Sequence, residues 1–209
     1  MADRYDAVVI GGGQAGLAAG YHLRQQGLDF SILDGDPQVG DVWRRRWDSL
    51  RLFTPAAYDG LPGMPFPAPA DAFPTKDDMA DYLQTYARTS DLPVRSATHA
   101  DELVREDDRY VLTAGPDRFE ARHVIVATGG HQTPRIPGFD AELDPSVHRL
   151  HAAVYRNPSQ LADGDVLVVG AGNSGAEIAM EAAAAGHRTT LAGRSTGHIP
   201  GLVYARNGR

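Results

Sequence analysis

Two stretches of the chain have the residue types and spacing to hold the pyrophosphate of a dinucleotide. Gly11-x-Gly13-x-x-Gly16 and Gly170-x-Gly172-x-x-Gly175 share one glycine pattern. In that pattern the first glycine permits a tight turn and the second lets the backbone approach a pyrophosphate. The third lets a helix pack closely on a strand. The helix that follows offers unpaired N–H groups and a partial positive charge to the phosphates. The candidate cofactor-binding residues are therefore Gly11, Gly13, Gln14, Ala15 and Gly16 in the first copy, and Gly170, Gly172, Asn173, Ser174 and Gly175 in the second. A single such motif is a weak signal, since glycines turn chains for many reasons. Here each copy follows an apolar run read as a buried strand and opens a helical pattern, which is the context the motif needs.

A shift of 159 residues superposes the copies, placing Asp6 on Asp165, Gly11 on Gly170 and Gly27 on Gly186. They differ where the cofactor is chosen. In the first copy Asp34, followed by Gly35, ends the second strand, where a carboxylate accepts hydrogen bonds from a ribose. In the second copy Gly193 takes that place and Arg194 and Ser195 follow. A guanidinium can hold a 2′-phosphate through two hydrogen bonds, and a carboxylate there would repel it. The first site thus suits FAD or NAD and the second NADPH.

The elements that must position these residues read as follows. Asp6–Ile10 is a short strand, Leu17–Gln26 a helix capped by Gly27, and Phe30–Leu33 a second strand: a βαβ unit. Residues 36–74, crowded with proline and aromatics, form an ordered excursion that lies against something else. Thr75-Lys76-Asp77-Asp78 resembles a capping box with Asp in place of Glu, opening a helix that carries Met79, Tyr82, Leu83, Tyr86 and Ala87 on one face. Residues 94–122 read as a β-meander. Val124–Ala127 is a further buried strand closing on Thr128-Gly129-Gly130, and a linker from Ile136 reaches Asp165. Val166–Val169 then starts the second βαβ pattern. The expected fold class is α/β, with two Rossmann-like dinucleotide-binding units on parallel sheets, the second incomplete. Residues 1–160 form the FAD-binding domain and 161–209 a partial NADPH-binding domain.

Composition narrows the function. Lys and Arg total 20 against 27 Asp and Glu, a net charge of −7, which disfavours a nucleic-acid partner. Cys is absent, so disulfide scaffolds, thiolate metal sites and redox CxxC pairs are excluded, and no metal site is expected. No run is long enough to span a membrane, so the expected location is cytoplasmic.

Between the two glycine motifs the chain resembles the flavin-containing monooxygenase family, in particular the plant YUCCA-type enzymes and related bacterial NAD(P)/FAD-dependent oxidoreductases. The resemblance is carried by Gly40-Asp41-Val42-Trp43-Arg44, Asp48-Ser49-Leu50-Arg51-Leu52, Leu61-Pro62-Gly63-Met64-Pro65-Phe66-Pro67 and Phe73-Pro74-Thr75-Lys76. Ala127-Thr128-Gly129 and Gly170-Ala171-Gly172-Asn173-Ser174-Gly175 continue it. It implies that NADPH reduces FAD and that the reduced flavin uses O2 to oxygenate a small organic substrate, the flavin carrying the hard chemistry. It also implies that Trp43 lies against the flavin and that Ala127, Thr128 and Gly129 contact the cofactor, while one of Arg44, Arg45 and Arg46 is expected to present charge to the flavin phosphates or to an acidic substrate. No catalytic side chain is assigned. His151 matches a family fingerprint histidine, but Pro145 and Val147 replace that fingerprint's Phe and Gly. The altered fingerprint leaves open a flavin reductase or oxidase that transfers no oxygen. Relatives in the family are longer, so a truncated, non-catalytic FAD-binding remnant is the other alternative, as is association with a chain that supplies the C-terminal part.

Overall fold

A computed structural model describes residues 3–130 and 133–194. By its contacts the chain divides into two compact units, residues 1–44 with 54–132, and residues 45–53 with 133–209. The break differs from the one expected after residue 160. The stretch read as a linker falls in the same unit as the second glycine motif, and a short piece of the proline-rich excursion goes with it.

The first unit is built on a six-stranded sheet in the order β3-β2-β1-β6-β5-β4. Its strands are β1 (Asp3–Ile10), β2 (Phe30–Leu33), β3 (Val94–Arg95), β4 (Glu102–Glu106), β5 (Arg109–Ala114) and β6 (Asp117–Val126). β1 runs parallel to β2 and to β6, and β2 parallel to β3. The meander is β4-β5-β6, antiparallel throughout, so Val94 and Arg95 belong to the opposite edge of the sheet. β6 also merges two expected strands. Residues 117–121 pair with β5 (Leu112 opposite Phe119) while 119–126 pair with β1 (Val9 opposite Ile125). Val126 at its end is 64% exposed, so the run closing on Thr128 is not fully buried.

α1 (Gln14–Gln25) begins directly after the glycine turn, three residues earlier than the apolar pattern indicates, because Gly13 in extended backbone serves as its N-cap. It packs on β1 and β2, and at Gly20 the approach is close: a Cβ there would stand 2.7 Å from Ile32 Cδ1. α3 (Lys76–Thr89) starts with the expected capping box. Thr75 N–H donates to Asp78 Oδ2 at 2.8 Å and Asp78 N–H to Thr75 Oγ1 at 3.1 Å. Such reciprocal caps satisfy two otherwise orphaned donors. Val8, Val9, Leu17, Ile32, Leu83 and Tyr86 are fully buried in this unit.

α3 is also what the excursion lies against. Tyr82 Oη donates to Met64 O at 2.7 Å and accepts from Leu61 N–H at 2.6 Å; Tyr86 Oη donates to Pro62 O at 2.8 Å. Phe66 stacks on Tyr82 with ring centroids 4.8 Å apart. Proline-rich backbone cannot satisfy itself in a ladder, and two buried phenols supply the missing partners. Burial pushes the Tyr86 phenol up to about 12 and raises Tyr82 as well.

In the second unit β7 (Val166–Val169) pairs in parallel with β8 (Thr189–Ala192), joined by α4 (Asn173–Ala184). β7 was expected to be buried, yet its burial alternates. Val166 and Val168 are half-buried while Leu167 and Val169 are exposed, because among the described residues β8 is its sole strand neighbour and α4 covers one face. No helix among the described residues is long and apolar enough to cross a membrane.

Candidate functional site

The repeat read from the glycines holds in three dimensions. Gly11 has φ +112° and Gly170 φ +109°, a region that favours glycine. Gly11 N–H donates to Leu33 O at 2.8 Å, and Gly170 N–H to Ala192 O at 2.7 Å. A Cβ on Gly16 would stand 1.8 Å from Gly11 O, and one on Gly175 would stand 1.8 Å from Gly170 O. The third glycine in each copy therefore touches the backbone of the first, as close helix–strand packing requires.

The second glycines differ from these. Gly13 and Gly172 are the N-caps of α1 and α4, and neither helix start is capped by a side chain. A Cβ on either would meet nothing within 4 Å. The space on the Cβ side of both N-caps is thus open, which fits an anion able to approach the helix start closely. Ala15 and Asn173 are exposed beside these turns, and Gln14 and Ser174 are half-buried.

Two glycines outside the motif positions shape the crossing between the glycine turn and the end of the second strand in each copy. Gly12 is buried, and a Cβ there would stand 2.5 Å from Asp34 Oδ2. In the second copy Ala171 takes the place of Gly12, and Gly193 the place of Asp34. A Cβ on Gly193 would stand 2.6 Å from Ala171 N and 3.1 Å from Ala171 Cβ. Each copy thus has room for one side chain at this crossing, and the two copies fill it from opposite sides. The Gly11-Gly12-Gly13 run was legible in the sequence, but the role of its middle member needs the β2 terminus beside it.

Asp34 stands at the end of β2, its N–H donating to Arg95 O at 2.9 Å and its O accepting from Thr98 N–H at 2.8 Å. Asp36 N–H donates to Asp34 Oδ1 at 3.4 Å. Gly35 lies against His99, with a Cβ on it 3.3 Å from His99 Cδ2. Ala127 N–H donates to Ile10 O at 2.8 Å, and a Cβ on Gly11 would stand 2.4 Å from Ala127 O and 3.2 Å from Thr128 N. Gly129 is exposed with φ +74°. The first glycine motif, Asp34 and Ala127-Thr128-Gly129 therefore converge at one end of the parallel strands, the edge where open α/β sheets bind ligands.

Trp43 and Arg44 lie on a short helix, α2 (Asp41–Arg44). Trp43 Nε1 donates to Gln14 Oε1 at 3.4 Å, which brings the indole to the first residue of α1. The Arg44 guanidinium is taken up locally. It donates to Asp81 Oδ1 at 2.7 Å, to Val39 O at 3.1 Å and to Asp41 Oδ1 at 3.3 Å, and the Asp81 bond leads the effects that hold it firmly protonated. Its evident work is to anchor α2 on α3.

In the second unit Arg194 is exposed at the end of β8, and Ser195 lies outside the described residues. His151 Nδ1 accepts from Ala153 N–H at 3.1 Å, stabilising a local turn. A cluster that the sequence did not reveal lies nearby. Tyr155, fully buried, donates from Oη to Glu181 Oε2 at 2.8 Å, and Ser49 Oγ donates to Glu181 Oε1. Burial, and then Glu181 itself, push the Tyr155 phenol far up.

Known proteins with these features were found by sequence and by structure. The pyridine nucleotide-disulphide oxidoreductase family matches over residues 8–199. An uncharacterized CzcO-like oxidoreductase of Geobacillus kaustophilus is 48% identical over 84% of this chain and 51% of its own length. Indole-3-pyruvate monooxygenase YUCCA1 of Oryza sativa is 31% identical over 92% of this chain and 48% of its own length. Among solved structures, a flavin-containing monooxygenase from Stenotrophomonas maltophilia superposes with a TM-score of 0.84 at 36% identity, over 90% of this chain and 57% of that one. The chain spans about half the length of the curated relatives it matches.

Proposed function

The chain belongs to the pyridine nucleotide-disulphide oxidoreductase family, and from that premise we propose that it carries the FAD site and the first βαβ unit of the NADPH site of a flavin-dependent monooxygenase. The observation that carries this reading is the asymmetric repeat. Two superposable βαβ units end in opposite chemistries, Asp34 beside Gly12 in one and Gly193-Arg194 beside Ala171 in the other.

The open cradles at Gly13 and Gly172 and the uncapped starts of α1 and α4 fit a pyrophosphate at each. In the first copy Asp34 accepts from the adenosine ribose, and Gly12 leaves that carboxylate its place. In the second copy the Ala171 backbone denies a carboxylate any position at residue 193. Arg194 then meets a 2′-phosphate without competition, so the second cofactor is NADPH. Trp43 is held on Gln14, the first residue of α1. The chemistry such a cofactor pair supplies is hydride transfer from NADPH to FAD and activation of O2 by the reduced flavin. The names of the relatives support oxygenation of a small organic substrate.

The test is a visible absorbance spectrum of the 209-residue chain after FAD addition and desalting, followed by anaerobic NADPH. Retained yellow colour that bleaches on NADPH supports the reading. Colour that persists leaves an FAD binder without a working second site, and a colourless protein overturns it. Pro145 and Val147 at the altered fingerprint favour one second reading, a flavin reductase or oxidase. NADPH consumption with hydrogen peroxide but no oxygenated product would select it.

A further inference from the structure

Residues 45–53 are covalently inserted in the first unit, between Arg44 and Thr54, yet they pack with the second. Three sets of polar contacts hold them there. Asp48 N–H donates to Arg156 O at 2.7 Å, Asn157 Nδ2 donates to Asp48 Oδ2 at 2.7 Å, and Ser49 Oγ donates to Glu181 Oε1. The other Glu181 oxygen is taken by the fully buried Tyr155 at 2.8 Å.

One carboxylate thus ties two separate segments to α4, each through a hydroxyl that donates to a charged acceptor. The repeat places His22 of α1 at the position of Glu181, so this tie belongs to the second copy alone. Glu181 and Asn173 share one continuous helix, eight residues or about 12 Å apart along its axis. A helix of that length moves as a rigid body, so its N-terminus and Glu181 shift together. At the other end of the tied segment, Ser49 follows Trp43 by six residues, and Trp43 rests on Gln14 at the start of α1.

We propose that Glu181 is a positioning residue: by holding Ser49 and Tyr155 on α4, it makes the 45–53 strap transmit the state of the α4 N-terminus to Trp43 beside the first glycine motif. This rests on the reading of α4 as the NADPH helix. The ordering of α4 by the second cofactor then orders the strap, and the backbone leading from Trp43 to the strap stiffens with it.

The experiment is hydrogen exchange on the full chain loaded with FAD, with and without NADP+. In the wild-type protein NADP+ slows exchange in peptides covering 170–176 and, by about tenfold, in peptides covering 45–53. In Glu181→Gln and in Ser49→Ala the slowing at 170–176 stays and the slowing at 45–53 is lost. Tryptophan emission, which arises only from Trp43 and Trp47, then ceases to respond to NADP+ in both variants. An unchanged response at 45–53 in both variants overturns the proposal, as does faster exchange throughout α4, which marks a general loss of packing. A wild-type chain protected at 170–176 but silent at 45–53 also overturns it. Silence at 170–176 overturns the NADPH reading and the coupling with it, so the two failures differ in which peptide fails to respond.

Discussion

Gly12 and Asp34 share a space that holds one side chain: a Cβ on Gly12 would stand 2.5 Å from the Asp34 carboxylate. The second copy of the motif solves the same crossing in reverse, with Ala171 keeping its methyl and Gly193 giving way. Cofactor chemistry is thereby tied to packing, since the residue that is small decides where the charge stands.

Gly12→Ala should therefore act through Asp34. Displacing the carboxylate forfeits a charge-assisted hydrogen bond, about 2 kcal/mol or some thirtyfold in FAD affinity. Flavin fluorescence titration measures it. Asp34→Asn should give a similar loss while leaving thermal stability near wild type. Equal FAD affinity in Gly12→Ala and the wild-type chain would show that the carboxylate is not at the ribose.

The same crossing in the second unit yields a coupled pair. Gly193→Asp alone drives a Cβ to 2.6 Å from Ala171 N, and overpacking of this kind costs about 1–3 kcal/mol. Combining it with Ala171→Gly should recover in chemical denaturation only the part due to the methyl, 3.1 Å from that Cβ, because the Ala171 backbone N stays in place. The recovery is a non-additive coupling expected only of residues in contact.

Arg194 should read the 2′-phosphate and nothing else. Arg194→Ala is expected to weaken NADPH binding by about 2 kcal/mol while leaving NADH binding nearly unchanged. Nucleotide titration of the FAD-loaded chain, comparing the two, checks it. Equal losses for both nucleotides would assign Arg194 to general electrostatics.

The second glycine of a motif should fail differently from the third. Gly16→Ala would put a Cβ 1.8 Å from the Gly11 oxygen, a backbone atom with nowhere to go, at a cost of about 3 kcal/mol or more. Gly13→Ala meets nothing within 4 Å and should cost about 1 kcal/mol or less as a cap change. It should nevertheless lose FAD, because its methyl enters the phosphate cradle. Urea denaturation alongside FAD retention separates the two effects.

Alkaline pH should loosen the excursion. The Tyr86 phenol, fully buried and donating to Pro62 O, is pushed up to about 12, against about 10 in an unfolded chain. The native state keeps its proton through that window, so its stability is complete below pH 10 and falls as pH rises towards 12. The loss is on the order of 1–2 kcal/mol. Tyr86→Phe should start less stable by one hydrogen bond and show a shallower decline, the remainder coming from Tyr82 and Tyr155, both also raised. Denaturation midpoints across pH 8 to 11 test it.

Much of the site was legible because its determinants are local. A glycine turn between an apolar run and a helical pattern repeats 159 residues on, and the structure reproduces both copies down to the φ of Gly11 and Gly170. Thr75 with Asp78 marked a helix start for the same reason, since a cap involves residues three apart. Asp34 and Arg194 were identifiable because strand ends lie at fixed spacing from the motif.

Other features depended on partners that are distant in sequence. β6 serves as one strand because β5 and β1 pair with it from both sides, and no spacing within residues 117–126 shows that. Arg44 spends its guanidinium on Asp81, thirty-seven residues away, so a cationic residue in a suitable loop became an anchor.

The sequence by itself determined the two βαβ units, their order and the residues that follow the second strand of each, because turn geometry, periodicity and residue chemistry act over a few residues. Tertiary structure alone decided that Gly12 serves Asp34 and that residues 45–53 pack with α4. The Ser49–Glu181 bond joins residues 132 apart. Such a bond exists only after chain folding has brought both ends together, and neither hydroxyl nor carboxylate carries a local mark of its partner.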